Sequence, residues 1–238
     1  GGSGAICPNT RATTRPRMKG AVSLADLRKS NSVGAQPSPP QPPTLRGART
    51  RQAILNSARM VFERDGFLEA RISDITTSAS VAQGSFYRYF NSKEEVFREL
   101  FHDVVRELYL AAAATGESHG QLPIDFIERS NRMYFTVYAK HARLIRTIEQ
   151  VATINEELGQ LRTDVQQMFT NRIAVAIDYW QQAGLVSSEV DSQIAALALG
   201  SMTDRLAYTW LAQGTVTFDF EEAIKTINFL WLHALGRC

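Results

Sequence analysis

The sequence predicts an all-α fold on three observations. Beyond Arg51 apolar residues recur at helical spacing, glycines fall where helices should stop, and no segment alternates apolar and polar residues between hairpin turns. With 238 residues, 44% of them hydrophobic, the chain can form one sizeable domain or two small ones.

Residues 1–45 hold neither helical nor strand periodicity, and the stretch QPSPPQPPT at 36–44 favours extended polyproline conformations. They read as a basic, Pro-rich, disordered tail. From Arg51, the residues Ile54, Leu55, Ala58, Val61 and Phe62 form the stripe of an amphipathic helix that stops at Gly66. A short helix over 72–78, a turn at 79–81 and a third helix over 82–90 follow. Asn91 or Ser92 can cap a long fourth helix, whose Glu94 and Glu95 match the macrodipole and which runs toward Ala114. Further helices are expected near 124–140, 142–153, 156–183, 191–212 and 221–235, with Gly184 and Gly214 as stops. The domain boundaries drawn from this pattern are 46–93 and 94–238.

The net charge of +2 conceals an asymmetry. Residues 1–45 carry six basic and one acidic side chain, 46–93 eight and four, and 94–238 twelve and nineteen, giving +5, +4 and −7. A basic front on an acidic rear suits a protein that meets a polyanion at one end, although chance bias on a solvated surface gives the same pattern. Cys7 and Cys238 stand far apart, and His102, His119, His141 and His233 are scattered. No disulfide framework, metal site or cofactor is expected. No apolar run reaches the roughly 18 residues of a membrane helix. The absence of HExxH, GxSxG, a phosphate loop and paired Glu-xx-His motifs argues against an all-α enzyme.

The residues that carry chemistry stand at 66–95. Ile75, Val81, Phe86 and Phe90 would lock two short helices across a tight turn. The opposite face of the third helix offers Gln83, Ser85, Tyr87 and Arg88, groups that pair with base edges and phosphates, and Gly84 admits a close phosphate backbone. A plain aromatic core stripe is the other reading of 86–90, and it is adopted for Phe86 and Phe90. Lys93 opens the fourth helix, where free N–H groups and the dipole favour a phosphate. Arg46, Arg49 and Arg51 form a basic arm that could lie along phosphates or enter a minor groove.

The run Gly66-Phe67, Ile72-Ser73-Asp74-Ile75, Val81-Ala82-Gln83-Gly84-Ser85-Phe86-Tyr87-Arg88-Tyr89-Phe90 and Ser92-Lys93-Glu94-Glu95 resembles the DNA-binding domain of the TetR family of repressors. The resemblance implies a helix-turn-helix that places Tyr87 and Arg88 on a DNA groove, and it adds Ser73 and Ala82 to the candidate contacts. Two positions depart from the family pattern. Ala70-Arg71 replaces the usual hydroxyl cap, a loss of about 1 kcal/mol that Arg71 would offset by touching a phosphate, and Ser80 replaces the turn glycine.

The later helices are similar in number and length to that family's regulatory domain. This implies a cavity for a small, mainly apolar effector, lined by Phe126, Met133, Tyr134, Val137, Tyr138, Ile148, Met168, Phe169, Ile173, Ile177 and Trp180. It also implies a homodimer built by Ala195, Ala198, Gly200, Met202, Leu206 and Trp210 with Ile224, Ile227 and Trp231. Spacing alone fits core packing equally well. The expected function is that of a cytoplasmic, nucleoid-associated bacterial repressor, released from a palindromic double-stranded DNA operator by a small-molecule effector. The alternative is a DNA-binding protein controlled by a protein partner or by no ligand.

Overall fold

The structure, a computed structural model, describes residues 44–113 and 122–236; the expected tail lies outside the described residues except for Thr44 and Leu45. The chain is all-α, as its periodicity predicts. The helices are α1 (Leu45–Glu69), α2 (Ile72–Ser78), α3 (Gln83–Phe86), α4 (Lys93–Ala113), α5 (Pro123–Ala152), α6 (Glu156–Gln182), α7 (Ser192–Ala207), which passes into a π-helical turn over Tyr208–Gln213, and α8 (Phe220–Ala234). Among the described residues there is no β-strand, and no helix is long and apolar enough to cross a membrane.

Side-chain caps fix most helix starts. Thr44 Oγ1 accepts from Gly47 N at 3.1 Å, Asn155 Oδ1 from Leu158 N at 3.0 Å, and Asp219 Oδ1 from Glu222 N at 3.0 Å. At α4, Ser92 Oγ accepts from Glu95 N while the Glu95 carboxylate accepts from Asn91 N at 2.7 Å. Each such cap is worth about 1 kcal/mol. The predicted stop at Gly66 falls where α1 breaks, at a φ of 78° that suits glycine.

Three expected elements differ. The helices expected at 124–140 and 142–153 are one, α5, because no glycine or proline interrupts 124–152 and His141 turns inward, its Nε2 lying 2.9 Å from Glu107 Oε2 of α4. The third helix is four residues long. Residues 87–90 leave it as tight turns, with Arg88 N donating to Ser85 O and Tyr89 N to Phe86 O. The supposed arm at 46–51 is the first two turns of α1, since Thr44 provides a cap upstream of it.

In the front part of the chain, Phe62 and Phe67 of α1 pack against Phe97 of α4, with ring centroids 5.2 and 4.8 Å from it. Phe86 and Phe90 are fully buried below α3, so the core reading of both holds. Helices α5 to α8 form the rear, with Phe126, Phe135, Leu144, Ile177, Trp180 and Ile224 among its buried side chains.

Candidate DNA interface and effector cavity

Helices α2 and α3 meet across a turn in which Val81 N donates to Thr76 O at 3.0 Å. Ser80, in the place of the expected glycine, adopts a φ of 54°, a left-handed conformation that costs a non-glycine residue about 1–2 kcal/mol. Ile75 and Phe86 are buried beneath the hairpin. This inward anchoring leaves Ala82, Gln83, Gly84, Tyr87 and Arg88 exposed on one face, with Ser85 half-buried beside them. Tyr87 is 52% exposed, its ring packed edge-on against Phe86. A Cβ placed on Gly84 would meet nothing within 4 Å, so packing within the chain gives no reason for a glycine there.

Arg71 and Ser73 are exposed at the start of α2, and no side chain caps that helix. Arg46 and Arg49 are exposed at the start of α1, three residues apart on one face, and the first turn holds no acidic residue. Two cations at a helix N-terminus oppose the dipole by about 0.3–1 kcal/mol each unless an anion lies nearby.

Arg51 and Lys93, expected at DNA, are both engaged inside the chain. Arg51 forms a two-pronged ion pair with Glu99 of α4, and its guanidinium stands 4.7 Å from the Phe90 ring centroid. The Lys93 ammonium donates to the carbonyls of Phe67, Leu68 and Ala70 at 2.8, 3.1 and 3.0 Å, and lies 4.7 Å from the Phe67 ring centroid. An ammonium has three N–H donors, and here all are directed at the orphan carbonyls that end α1, leaving none for a phosphate.

Behind this reading head, α4, α5, α6 and α7 enclose a cavity of about 160 Å³ with Trp231 of α8 on its wall. One water centre needs only about 10–15 Å³. Of the expected lining, Phe126, Tyr134, Tyr138, Ile148, Phe169, Ile173 and Trp180 face it. Met133, Val137, Met168 and Ile177 do not: Val137, Met168 and Ile177 are buried in the surrounding core and Met133 is partly buried against it. Phe101, Val104, Val105 and Leu108 of α4 also line it, as do Glu149, Arg162 and Asp204. The apolar face of α4 was legible as core; the three charges carried no sequence signal, since their partners are 13 and 42 residues apart.

Those charges form a network. Arg162 Nε donates to Glu149 Oε1 at 2.5 Å and its Nη2 to Asp204 Oδ2 at 2.6 Å, while the Tyr134 hydroxyl donates to Asp204 Oδ1 at 2.7 Å. Burial opposes the charge on Arg162, yet the two carboxylates outweigh it and hold the guanidinium protonated. Burial first, and Asp204 second, push the Tyr134 hydroxyl far above its usual range, so it remains a donor. The indole Nε1 of Trp180, a residue only 1% exposed, has no hydrogen-bond partner among the described residues.

The expected dimer residues are largely consumed inside the chain. Trp231 Nε1 donates to Thr203 Oγ1 at 2.8 Å, Ile224 and Ile227 are buried, and Trp210 packs on Phe135, Phe218 and Phe220. A Cβ on Gly200 would meet Ile173 Cδ1 at 3.3 Å, so this glycine serves α6–α7 packing. Ala195, Met202 and Leu206 are half-buried against the core, and Ala198 alone of the expected set is exposed. The exposed apolar side chains of these helices are instead Ile194 and Leu197 on α7 and Phe229 and Leu230 on α8, at 70, 48, 56 and 44%.

A buried aromatic hairpin that turns a polar helix face outward, joined to a helical domain around a cavity, defines a ligand-responsive helix-turn-helix protein. Comparison with known proteins sharpens this class. Residues 54–100 match the family described as bacterial regulatory proteins, tetR family, and residues 127–236 match the C-terminal domain of the transcriptional regulator EthR. The HTH-type transcriptional regulator EthR of Mycolicibacterium smegmatis is 23% identical over 77% of this chain and 84% of its own. The HTH-type transcriptional repressor BepR of Brucella suis is 26% identical over 72% and 85%. Among solved structures, the transcriptional regulator FadR of Bacillus subtilis, in complex with stearoyl-CoA, superposes with a TM-score of 0.64 at 20% identity, covering 76% of this chain and 96% of its own. The chain belongs to the TetR family of DNA-binding transcriptional regulators, and its relatives are regulators, not enzymes.

Proposed function

We propose that this regulator is a homodimeric repressor that leaves a palindromic operator when a small, mainly apolar effector fills the cavity. The observation that carries the reading is the outward face at α3: Gln83, Gly84, Tyr87 and Arg88 are exposed, no packing within the chain calls for a glycine at 84, and Phe86 and Phe90 are buried beneath them. Gln83 can pair bidentately with adenine, Tyr87 and Arg88 can reach bases or phosphates, and Gly84 admits the backbone. Ala82 and Ser85 flank them. Arg46, Arg49, Arg71 and Ser73 supply phosphate contacts, and Arg51 and Lys93 are set aside as members of the fold.

Dimerisation is assigned to the outer faces of α7 and α8, where Ile194, Leu197, Ala198, Phe229 and Leu230 would otherwise face water. A dimer doubles the short sequence that one α3 can read and sets two half-sites about 34 Å apart. The reading places the protein in the bacterial cytoplasm, at the nucleoid. The stearoyl-CoA in the B. subtilis FadR structure is consistent with an apolar effector here. Selection of duplexes from a random pool tests the proposal. A two-fold symmetric consensus, depleted when metabolite extract is added, supports it; indifferent recovery of all sequences overturns it.

A further inference from the structure

We propose that the cavity takes an organic cation with an apolar body and discriminates against carboxylates of the same size. The proposal rests on the cavity being the effector site, as argued above, and adds the charge of what enters it.

Three features of the wall converge. At one end a single guanidinium, Arg162, lies between the carboxylates of Glu149 and Asp204, so this pole carries one positive and two negative charges. Tyr134 donates to Asp204 and contributes no charge. In a partly buried site such an imbalance is felt more strongly than in water. An entering carboxylate meets two like charges beside an arginine they already neutralise, whereas a cation meets an excess of one carboxylate. The wall is also rich in aromatic rings, including Phe101, Tyr138, Phe169 and Trp231, whose faces attract cations and not anions. Finally, the buried Nε1 of Trp180, a residue of the wall, has no acceptor among the described residues, so a bound molecule with an acceptor that reaches it would satisfy it. The lining residues of α6 run from Arg162 to Trp180, about 27 Å of helix, which fits an elongated molecule.

Arg172 is the other cation on the wall. It stands ten residues along α6 from Arg162, about 15 Å away, with its guanidinium 5.3 Å from the Tyr109 ring centroid. A carboxylate would have to compete with the partners Arg172 already has, and the variant Arg172→Ala measures what that cation contributes.

The full chain is titrated with dodecyltrimethylammonium, dodecanol and dodecanoate, each below its micelle concentration. Quenching of Trp180 and Trp231 in the wall reports binding, and calorimetry confirms it. The ammonium should bind about tenfold or more tighter than the carboxylate, the alcohol falling between, as expected for one unit of unbalanced charge in a partly screened site. Asp204→Asn and Glu149→Gln should each reduce the ammonium-to-alcohol affinity ratio severalfold, a readout that general loosening of the fold leaves alone. Arg172→Ala should weaken only the carboxylate. Dodecanoate binding as tightly as the ammonium, or a ratio unmoved in both carboxylate variants, overturns the cation assignment alone. Binding by none of the three overturns both it and the effector cavity.

Discussion

At Lys93 the ammonium closes the end of α1 by donating to three carbonyls while resting on the Phe67 ring. Lys93→Met keeps the aliphatic stem and leaves those carbonyls without a donor. Urea unfolding should show a loss of about 1–3 kcal/mol, while the salt dependence of DNA affinity stays that of the parent; a shallower salt slope at unchanged stability would return Lys93 to the phosphate. Gly84 is the converse. Its missing Cβ leaves open space, so Gly84→Ala should hold or raise stability by up to about 1 kcal/mol yet weaken operator binding in anisotropy titrations. Unchanged binding would mean that this face does not approach DNA. Gln83→Ala should relax preference at one base pair per half-site, costing about 1–3 kcal/mol on the operator and little on scrambled duplex. A parallel fall on both duplexes would make Gln83 a phosphate contact. The types of these residues were legible in the sequence, but their partners were not: a lysine at a helix start reads alike whether its ammonium faces a phosphate or folds back 26 residues onto a carbonyl.

Helix α4 runs from the reading head to the cavity. Its first two turns are tied to α1 by Lys93, by the Arg51–Glu99 pair and by Phe97 against Phe62, and its later turns present Phe101, Val104, Val105 and Leu108 to the cavity. From Lys93 to Leu108 this is about 23 Å of continuous helix, long enough to carry a displacement from the cavity to the reading head. Phe97→Ala should therefore cost about 3–5 kcal/mol in urea unfolding and lower operator affinity together with it. Stability lost with full operator affinity would show that the α1–α4 contact does not position α2 and α3. At this scale the sequence was most informative where periodicity and caps agree, as at Ser92 with Glu94 and Glu95, or Gly66. It misled where tertiary contacts decide: His141 turned toward Glu107 lets α5 run through a position read as a break, and α3 is short because residues 87–90 turn to bury Phe90. Helical phase was recoverable from spacing, and taking 134, 138, 145 and 148 as one stripe would have excluded Met133 from the cavity, whereas Val137 shares that stripe and only its burial in the core removes it.

For the whole molecule, an apolar surface that the single chain leaves exposed on α7 and α8 is assigned to a second copy. Leu230→Glu places a charge there, and sedimentation should shift from dimer to monomer with loss of specific operator affinity; a dimer that persists would move the interface elsewhere. The sequence pointed to the same two helices but to their buried residues, because large apolar side chains in a core and in an interface obey the same spacing. The proposal that unites reading head, lever and cavity is that effector and operator compete through the fold, reciprocally and at a distance. The direct test is the affinity of the selected operator duplex for the full-length dimer at fixed salt, with and without a ligand whose quenching of Trp180 and Trp231 shows the cavity to be full. The account predicts operator affinity weakened about 5- to 150-fold, the equivalent of about 1–3 kcal/mol of coupling; an unchanged affinity with the cavity demonstrably occupied would contradict it.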